Sequence, residues 1–209
     1  MGRALVYQLV RRFCWLFLLV HNRLSIRGRS NIPRTRPIIM VANHCSNLDP
    51  VVMGAAYPQR LRYLAKAELF QGSRLFAWLI GILGAIPVSR QTSQSAGGAL
   101  KSFLQLLEEG ESVLLFPEGG RSEDGCLKPL EGGVALLALK TGALVVPAYI
   151  AGTFKAMPIG ATFIRWNPVS VRFGAPLDPQ LFAGARPKEA RAAFLQELSR
   201  SLHAMEDAV

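Results

Sequence analysis

The chain has 209 residues, room for one domain with a substantial core. Half of the residues are hydrophobic, 18% are charged and the mean hydropathy is +0.25, which excludes intrinsic disorder. Net charge is +10, and with no run of about 18 uncharged apolar residues a protein of many membrane spans is excluded too.

The basic charge sits at the N-terminus. Residues 1–40 hold Arg3, Arg11, Arg12, Arg23, Arg27, Arg29, Arg34 and Arg36 and no acid, which leaves +2 for the rest of the chain. A uniformly basic surface would point to nucleic acid. Arginines mixed with Phe13, Trp15, Phe17 and leucines point instead to an anionic membrane surface, with no nucleic-acid partner. In the segment ALVYQLVRRFCWLFLLV, residues 4–20, the uninterrupted apolar run is only Phe13 to Val20, short for a bilayer core of about 30 Å. At 100° per residue, Arg3, Gln8, Arg11, Arg12 and His21 share one broad arc, and Val6, Phe13, Phe17 and Leu18 fall largely opposite. Residues 1–22 are therefore expected to form an amphipathic helix lying in the membrane interface, its arginines at headgroup level, ahead of a domain over residues 23–209. A signal peptide is the rival, and Arg11-Arg12-Phe13 resembles a twin-arginine start, but no A-x-A cleavage site follows Val20. A tilted span would have to bury two arginines.

From residue 23 onward, strand and helix patterns alternate. Short apolar runs predict buried strands at Pro37–Ala42, Leu61–Ala65, Ala85–Val88, Ser112–Phe116, Ala143–Ile150 and Val169–Phe173, with Leu24–Gly28 as a weaker candidate. Val51–Ala56 starts a helix. Leu100, Phe103, Leu104 and Leu107 follow helical spacing and end at Gly110. Val134–Lys140 is helical and closes at Gly142. A C-terminal helix starts near Pro187 and buries Phe194, Leu198, Leu202 and Met205. This alternation implies one α/β domain, a mixed and mostly parallel sheet flanked by helices on both faces. Residues 152–168 are the least regular stretch.

Two polar clusters interrupt this pattern at strand ends. The apolar run Pro37–Ala42 stops abruptly at Asn43-His44-Cys45-Ser46-Asn47-Leu48-Asp49-Pro50. The carboxyl ends of buried strands are where open α/β sheets place their sites. One tight turn joins His44 to Asp49, and it can fold the carboxylate back onto the imidazole. A carboxylate at one ring nitrogen fixes the tautomer and leaves the other nitrogen as a base. The competing reading is a capped turn in which Asp49 caps a helix and His44 merely packs. The second cluster, Phe116-Pro117-Glu118-Gly119-Gly120-Arg121-Ser122, follows Val113–Phe116. Gly119 and Gly120 let backbone amides approach an anion. Arg121 offers a planar fork matched to phosphate. Glu118 can bind a hydroxyl or hold an arginine. A Gly-rich turn with a surface ion pair is the plainer alternative.

Taken together, these residues resemble the 1-acyl-sn-glycerol-3-phosphate acyltransferases, the lysophosphatidic acid acyltransferase family of the glycerolipid acyltransferases. Asn43 to Pro50 looks like the family's N-H-x-S-x-x-D-P block. Gly84-Ala85-Ile86-Pro87-Val88-Ser89-Arg90 resembles its second block, Phe116 to Ser122 its F-P-E-G-T-R-S block, and Val146-Pro147-Ala148-Tyr149-Ile150 its V-P-V-x-I block. Leu64 to Phe70 is similar to its A-K-x-E-L-F stretch. The blocks run in family order. Two positions depart: Gly120 stands where the family usually has Thr, and Ser89 where many members carry an acid. Neither touches the His–Asp pair, and both bear on acceptor specificity.

The resemblance implies transfer of a fatty acyl group from a thioester, acyl-CoA or acyl carrier protein, to the sn-2 hydroxyl of lysophosphatidate, giving phosphatidic acid. It implies His44 as general base and Asp49 as its orienting partner. Asn43, Lys66, Arg90, Glu118, Gly119, Gly120 and Arg121 would be the substrate-binding set. Direct attack needs no cofactor, no metal and no covalent acyl-enzyme, so Cys45 is not expected to act as a nucleophile. Trp78, Leu79, Ile82 and Leu83 could line an acyl groove, although ordinary core packing is the plainer role. Other readings are the same transfer onto another lysolipid, a non-catalytic peripheral lipid-binding protein, and a hydrolase. The last lacks a G-x-S-x-G elbow. Cys14, Cys45 and Cys126 are odd in number and form no C-x-x-C, so reduced thiols on the cytoplasmic face of a membrane are expected.

Overall fold

A computed structural model describes residues 2–88 and 96–208 of the chain. Seven strands form one sheet in the order β1-β7-β6-β2-β5-β3-β4: β1 (Ser25–Arg27), β2 (Ile38–Ala42), β3 (Leu61–Lys66), β4 (Ala85–Val88), β5 (Ser112–Leu115), β6 (Leu144–Ala151) and β7 (Ser170–Phe173). Each coincides with an expected apolar run to within about two residues. All neighbours are parallel except β6 and β7, which pair antiparallel with Ala148 opposite Phe173. The central strand β2 is buried along its whole length, so both its faces need cover and its sequence is apolar without alternation.

That cover comes from two helical layers. On one face lie α1 (Gly2–His21), α2 (Asp49–Ala56) and α3 (Arg74–Ile82), packed over Ile38, Met40, Ala42 and Leu114. On the other lie α4 (Ala96–Glu108), α5 (Gly133–Thr141) and α7 (Pro187–Glu206), packed over Ile39, Val41, Val113 and Val145. The four apolar positions expected of the C-terminal helix, Phe194, Leu198, Leu202 and Met205, are all buried there. A one-turn helix α6 (Thr153–Ala156) opens the irregular stretch before β7. Helix α3 is absent from the elements read in the sequence. Of its neighbourhood, Leu83 is fully buried beside Gly54 while Trp78 is 53% exposed, so these residues do not share one groove.

Helix α1 corrects the expected orientation of its two arcs. Tyr7, Cys14 and Leu18 are buried against the domain, and Leu18 belongs to the core and not to the outward face. Arg11 is turned toward the protein, its Nε donating to Gln8 and its Nη1 reaching the Tyr57 carbonyl at 3.4 Å. The Tyr7 hydroxyl donates to the Gln59 carbonyl at 2.7 Å. The outward stripe is Leu5, Leu9, Phe13, Leu16 and Val20, all more than half exposed. The physical reason is that Tyr7 and Arg11 find backbone acceptors at the end of α2, so much of the polar arc is the docked arc. Arg12 is exposed, and the side chain of Arg3 lies outside the described set. By length and composition α1 is apolar enough to cross a membrane.

Candidate active site

Strands β2 and β5 are neighbours, with Val41 opposite Leu115, so the loops that follow them leave the sheet side by side. This register brings the two polar clusters into contact although 74 positions separate His44 from Glu118. On the other flank, the Asn43 side chain bonds both backbone groups of Ile150 in β6, accepting at 2.7 Å and donating at 2.9 Å. Asn43 is buried, and its amide serves to pin the end of β2 to β6.

The turn between β2 and α2 is organised by one oxygen. Asp49 Oδ2 accepts from His44 Nδ1 at 2.8 Å, from the Cys45 amide at 2.7 Å and from the Ser46 amide at 2.8 Å. Asp49 is fully buried, and it stands with Pro50 in the first turn of α2 where free amides and the helix dipole favour a carboxylate. Ser46 completes the turn, its Oγ accepting from the Leu48 amide and donating to the Met157 carbonyl at 2.6 Å. The His44 side chain is 18% exposed, and its Nε2 makes no hydrogen bond among the described residues. Its ring stacks on Phe116, with centroids 4.1 Å apart and an interplanar angle of 19°.

The second cluster seats the histidine. Glu118 Oε1 accepts the His44 amide at 2.6 Å, and Oε2 accepts the Lys128 amide at 2.9 Å. The Ser122 amide donates to the His44 carbonyl at 2.7 Å. Both backbone groups of His44 are thus held by the loop after β5. Burial raises the Glu118 carboxyl above its ordinary range, with the two amides and the nearby His44 and Lys128 opposing that shift. Glu118 is buried and contacts no arginine among the described residues; it shapes the loops. The sequence alone does not single out Phe116, Ser122 or Lys128, because their roles depend on the β2–β5 adjacency.

Beyond Glu118 the loop opens. Gly119 has φ +69°, a left-handed conformation, and a β-carbon there would overlap the Glu131 carboxylate. Gly120 has open space beside it. The amides of Gly120 and Arg121 make no hydrogen bond among the described residues. The Arg121 carbonyl accepts from Lys128 Nζ at 2.9 Å, and its guanidinium has no partner among the described residues. Lys66 is exposed at the end of β3, opposite Val88 at the end of β4. That end of β4 leads toward Arg90, which lies outside the described residues. Glu131 is exposed and brings a carboxylate to this cationic loop, a feature no motif signals. Cys45, next to the histidine, is buried, and burial with Asp49 and Glu118 nearby pushes its thiol up to about 12, so it stays protonated. All three cysteines are free.

Comparison with known proteins gives the family and the fold. The family model described as Acyltransferase matches residues 23–151. A 1-acyl-sn-glycerol-3-phosphate acyltransferase of Bacillus subtilis is 27% identical over 193 residues, 92% of each chain. A chloroplastic 1-acyl-sn-glycerol-3-phosphate acyltransferase of Brassica napus is 36% identical over 138 residues, 66% of this chain and 40% of its own length. This chain thus spans about two fifths of the length of that plant relative. The crystal structure of the 1-acyl-sn-glycerophosphate acyltransferase PlsC from Thermotoga maritima superposes with a TM-score of 0.76 at 26% identity, covering 98% of this chain and 81% of that one.

Proposed function

The chain belongs to the Acyltransferase family, and we propose that it moves a fatty acyl group from a thioester to the sn-2 hydroxyl of 1-acyl-sn-glycerol-3-phosphate. The observation that carries this reading is the 2.8 Å contact between His44 Nδ1 and the buried Asp49 carboxylate, which leaves Nε2 unengaged. With Nδ1–H donated to Asp49, Nε2 is the basic nitrogen. It takes the proton of the acceptor hydroxyl as the oxygen attacks the thioester carbonyl. The tetrahedral intermediate collapses, the C–S bond breaks, and the sulfur leaves with the proton that His44 returns. A positioned base contributes about 10²–10⁴-fold. Cys45, held neutral, takes no part.

Arg121 and the amides of Gly120 and Arg121 hold the acceptor phosphate, with Lys66 and, from the sequence, Arg90 as further cationic ligands. Asn43 and Glu118 act through the loops they fasten. The outward apolar stripe of α1 lies in the interface of an anionic membrane, on the cytoplasmic face where thiols stay reduced. Because α1 is docked along the domain through Tyr7, Cys14 and Leu18, a monotopic placement fits better than a span.

A second acceptor class has one observation in its favour. The Glu131 carboxylate at Gly119 suits a lysolipid whose headgroup also carries a cation. Acyl-CoA and acyl carrier protein thioesters, radiolabelled in the acyl group, are offered separately with lysophosphatidate and with an amino-headgroup lysolipid, and the products are resolved by chromatography. Labelled phosphatidic acid is the expected product. Release of free fatty acid alone would defeat the proposal.

A further inference from the structure

The least regular stretch, residues 157–167, carries three exposed large apolar side chains: Ile159 at 46%, Phe163 at 66% and Trp166 at 60%. They are not exposed for want of structure. The Arg165 amide donates to the Ala156 carbonyl at 2.7 Å, and the Ala161 amide to Pro158. His21 Nε2 lies 3.2 Å from the Ile164 carbonyl, and Asn22 Nδ2 donates to Arg165 and Asn167 at 3.0 and 2.9 Å. Ile164, between the exposed residues, is partly buried and packs against the core. The loop is fastened at several points, and it displays Phe163 and Trp166 to the outside.

Two arginines accompany these rings. The Arg23 guanidinium lies 4.8 Å from the Trp166 ring centroid, and that of Arg165 lies 6.0 Å from Phe163. Arg23 has φ +48°, the one positive value at a non-glycine among the described residues. A β-carbon in that conformation costs about 1 kcal/mol that glycine would avoid. Residues 132–177 hold no Asp or Glu, although Gly125 of the loop that carries the exposed Glu123 and Asp124 approaches Phe154 in α6, just before residues 157–167. The loop also adjoins the end of α1, through His21 and Asn22, the helix whose outward stripe is Leu5, Leu9, Phe13, Leu16 and Val20.

We infer that the 157–167 loop is a second membrane-contacting element, in which Phe163, Trp166 and Ile159 enter the interface of an anionic bilayer while Arg23 and Arg165 meet lipid phosphates. Rings with an apolar body beside a cation suit the headgroup boundary. A partner protein would have to match the rings with their arginines and α1 together, whereas a bilayer matches both without further design. The loop is bonded to the catalytic turn through Ser46 Oγ and the Met157 carbonyl, so its docking sets the site's edge against the lipid surface. The inference concerns membrane contact alone and stands apart from the acyl-transfer reading.

The test uses the full chain with Trp15→Phe and Trp78→Phe, leaving Trp166 as the single tryptophan. On vesicles of phosphatidylcholine with phosphatidylglycerol, Trp166 emission shifts to the blue and is quenched by lipids brominated near the headgroup. Ile159→Asp with Phe163→Asp lowers vesicle partitioning at least tenfold while the melting temperature and turnover of a monomeric short-chain acceptor stay as in the parent. Arg23→Gly relieves the left-handed backbone and so keeps or raises the melting temperature, yet weakens anionic vesicle binding about fivefold. Unchanged Trp166 emission on vesicles that float the protein overturns the inference, as does undiminished binding of the Asp double variant. Loss of turnover with lipid quenching intact would count against the acyl-transfer reading alone.

Discussion

The main-chain amide of His44 is bonded to the side chain of Glu118 at 2.6 Å, across 74 positions of sequence. The same carboxylate takes the Lys128 amide on its other oxygen. Both partners are N–H donors, so the position requires two acceptors. Glu118→Gln supplies one acceptor and one donor and leaves a buried amide facing N–H groups, a cost of about 1–3 kcal/mol. Turnover should fall at least tenfold and the melting temperature should drop by several degrees. Glu118→Gln with wild-type turnover would show that the bridge does not position His44.

The raised carboxyl of Glu118 has a pH signature. A group whose folded pKa lies above its unfolded value contributes stability below the unfolded value and loses it as pH rises through the folded one. Here that window starts near the ordinary value of 4.5 and extends upward. The stability difference between the wild type and Glu118→Gln should therefore shrink as pH rises through that window. Chemical denaturation of both proteins at a series of pH values measures it, and a difference that grows with pH contradicts the assignment.

His44→Ala should remove nearly all transfer. Asp49→Asn should cost about 10³–10⁴-fold, since one oxygen now accepts from the imidazole and from two backbone amides, and an amide nitrogen in its place presents donors to donors. Rates measured on protein shown by circular dichroism to be folded separate chemistry from collapse of the turn. Cys45→Ser should keep most activity, because the thiol is protonated and buried.

The loop glycines should behave differently from each other. Gly119→Ala meets a positive φ and the Glu131 carboxylate, so stability and activity should both fall. Gly120→Thr enters open space, so the fold should hold and only acceptor kinetics should move. Arg121→Ala should raise the acceptor KM about ten- to a hundredfold with little change in the donor KM, the value of a hydrogen bond to a charged group. Arg121→Lys should recover only part, lacking the planar fork. Glu131→Lys should shift preference toward acceptors bearing phosphate alone. Separate KM values for donor and acceptor decide each case.

On α1, Leu9→Ser with Phe13→Ser alters residues that are 57% and 69% exposed, so the melting temperature should hardly change. Each loses apolar burial in a bilayer worth about 1.5–3 kcal/mol, so flotation with vesicles should fall steeply, even at high salt. Leu18→Ser should do the reverse, lowering stability because Leu18 is in the core. Equal flotation of the Leu9/Phe13 variant and the wild type would remove α1 as the anchor.

The sequence by itself determined all seven strands, the C-terminal helix and the two polar clusters. A strand buried on both faces must be apolar, so Ile38–Ala42 and Val113–Leu115 are conspicuous, and so are the polar clusters that follow, at Asn43-His44 and at Glu118 after Phe116-Pro117. His44 and Asp49 were legible for a related reason: they are five residues apart, and one local turn joins them. Strand order, the reversed β7 and helix α3 were not legible, and neither was the docked side of α1. Asn43 and Glu118 read as ligand-binding residues, whereas the fold gives them Ile150 and the amides of His44 and Lys128 as partners. Periodicity reports how a segment meets water and core, not which distant segment it meets. A buried amide or carboxylate takes whichever donors and acceptors the neighbouring strand presents, and only the placing of β2 between β6 and β5 decides which those are.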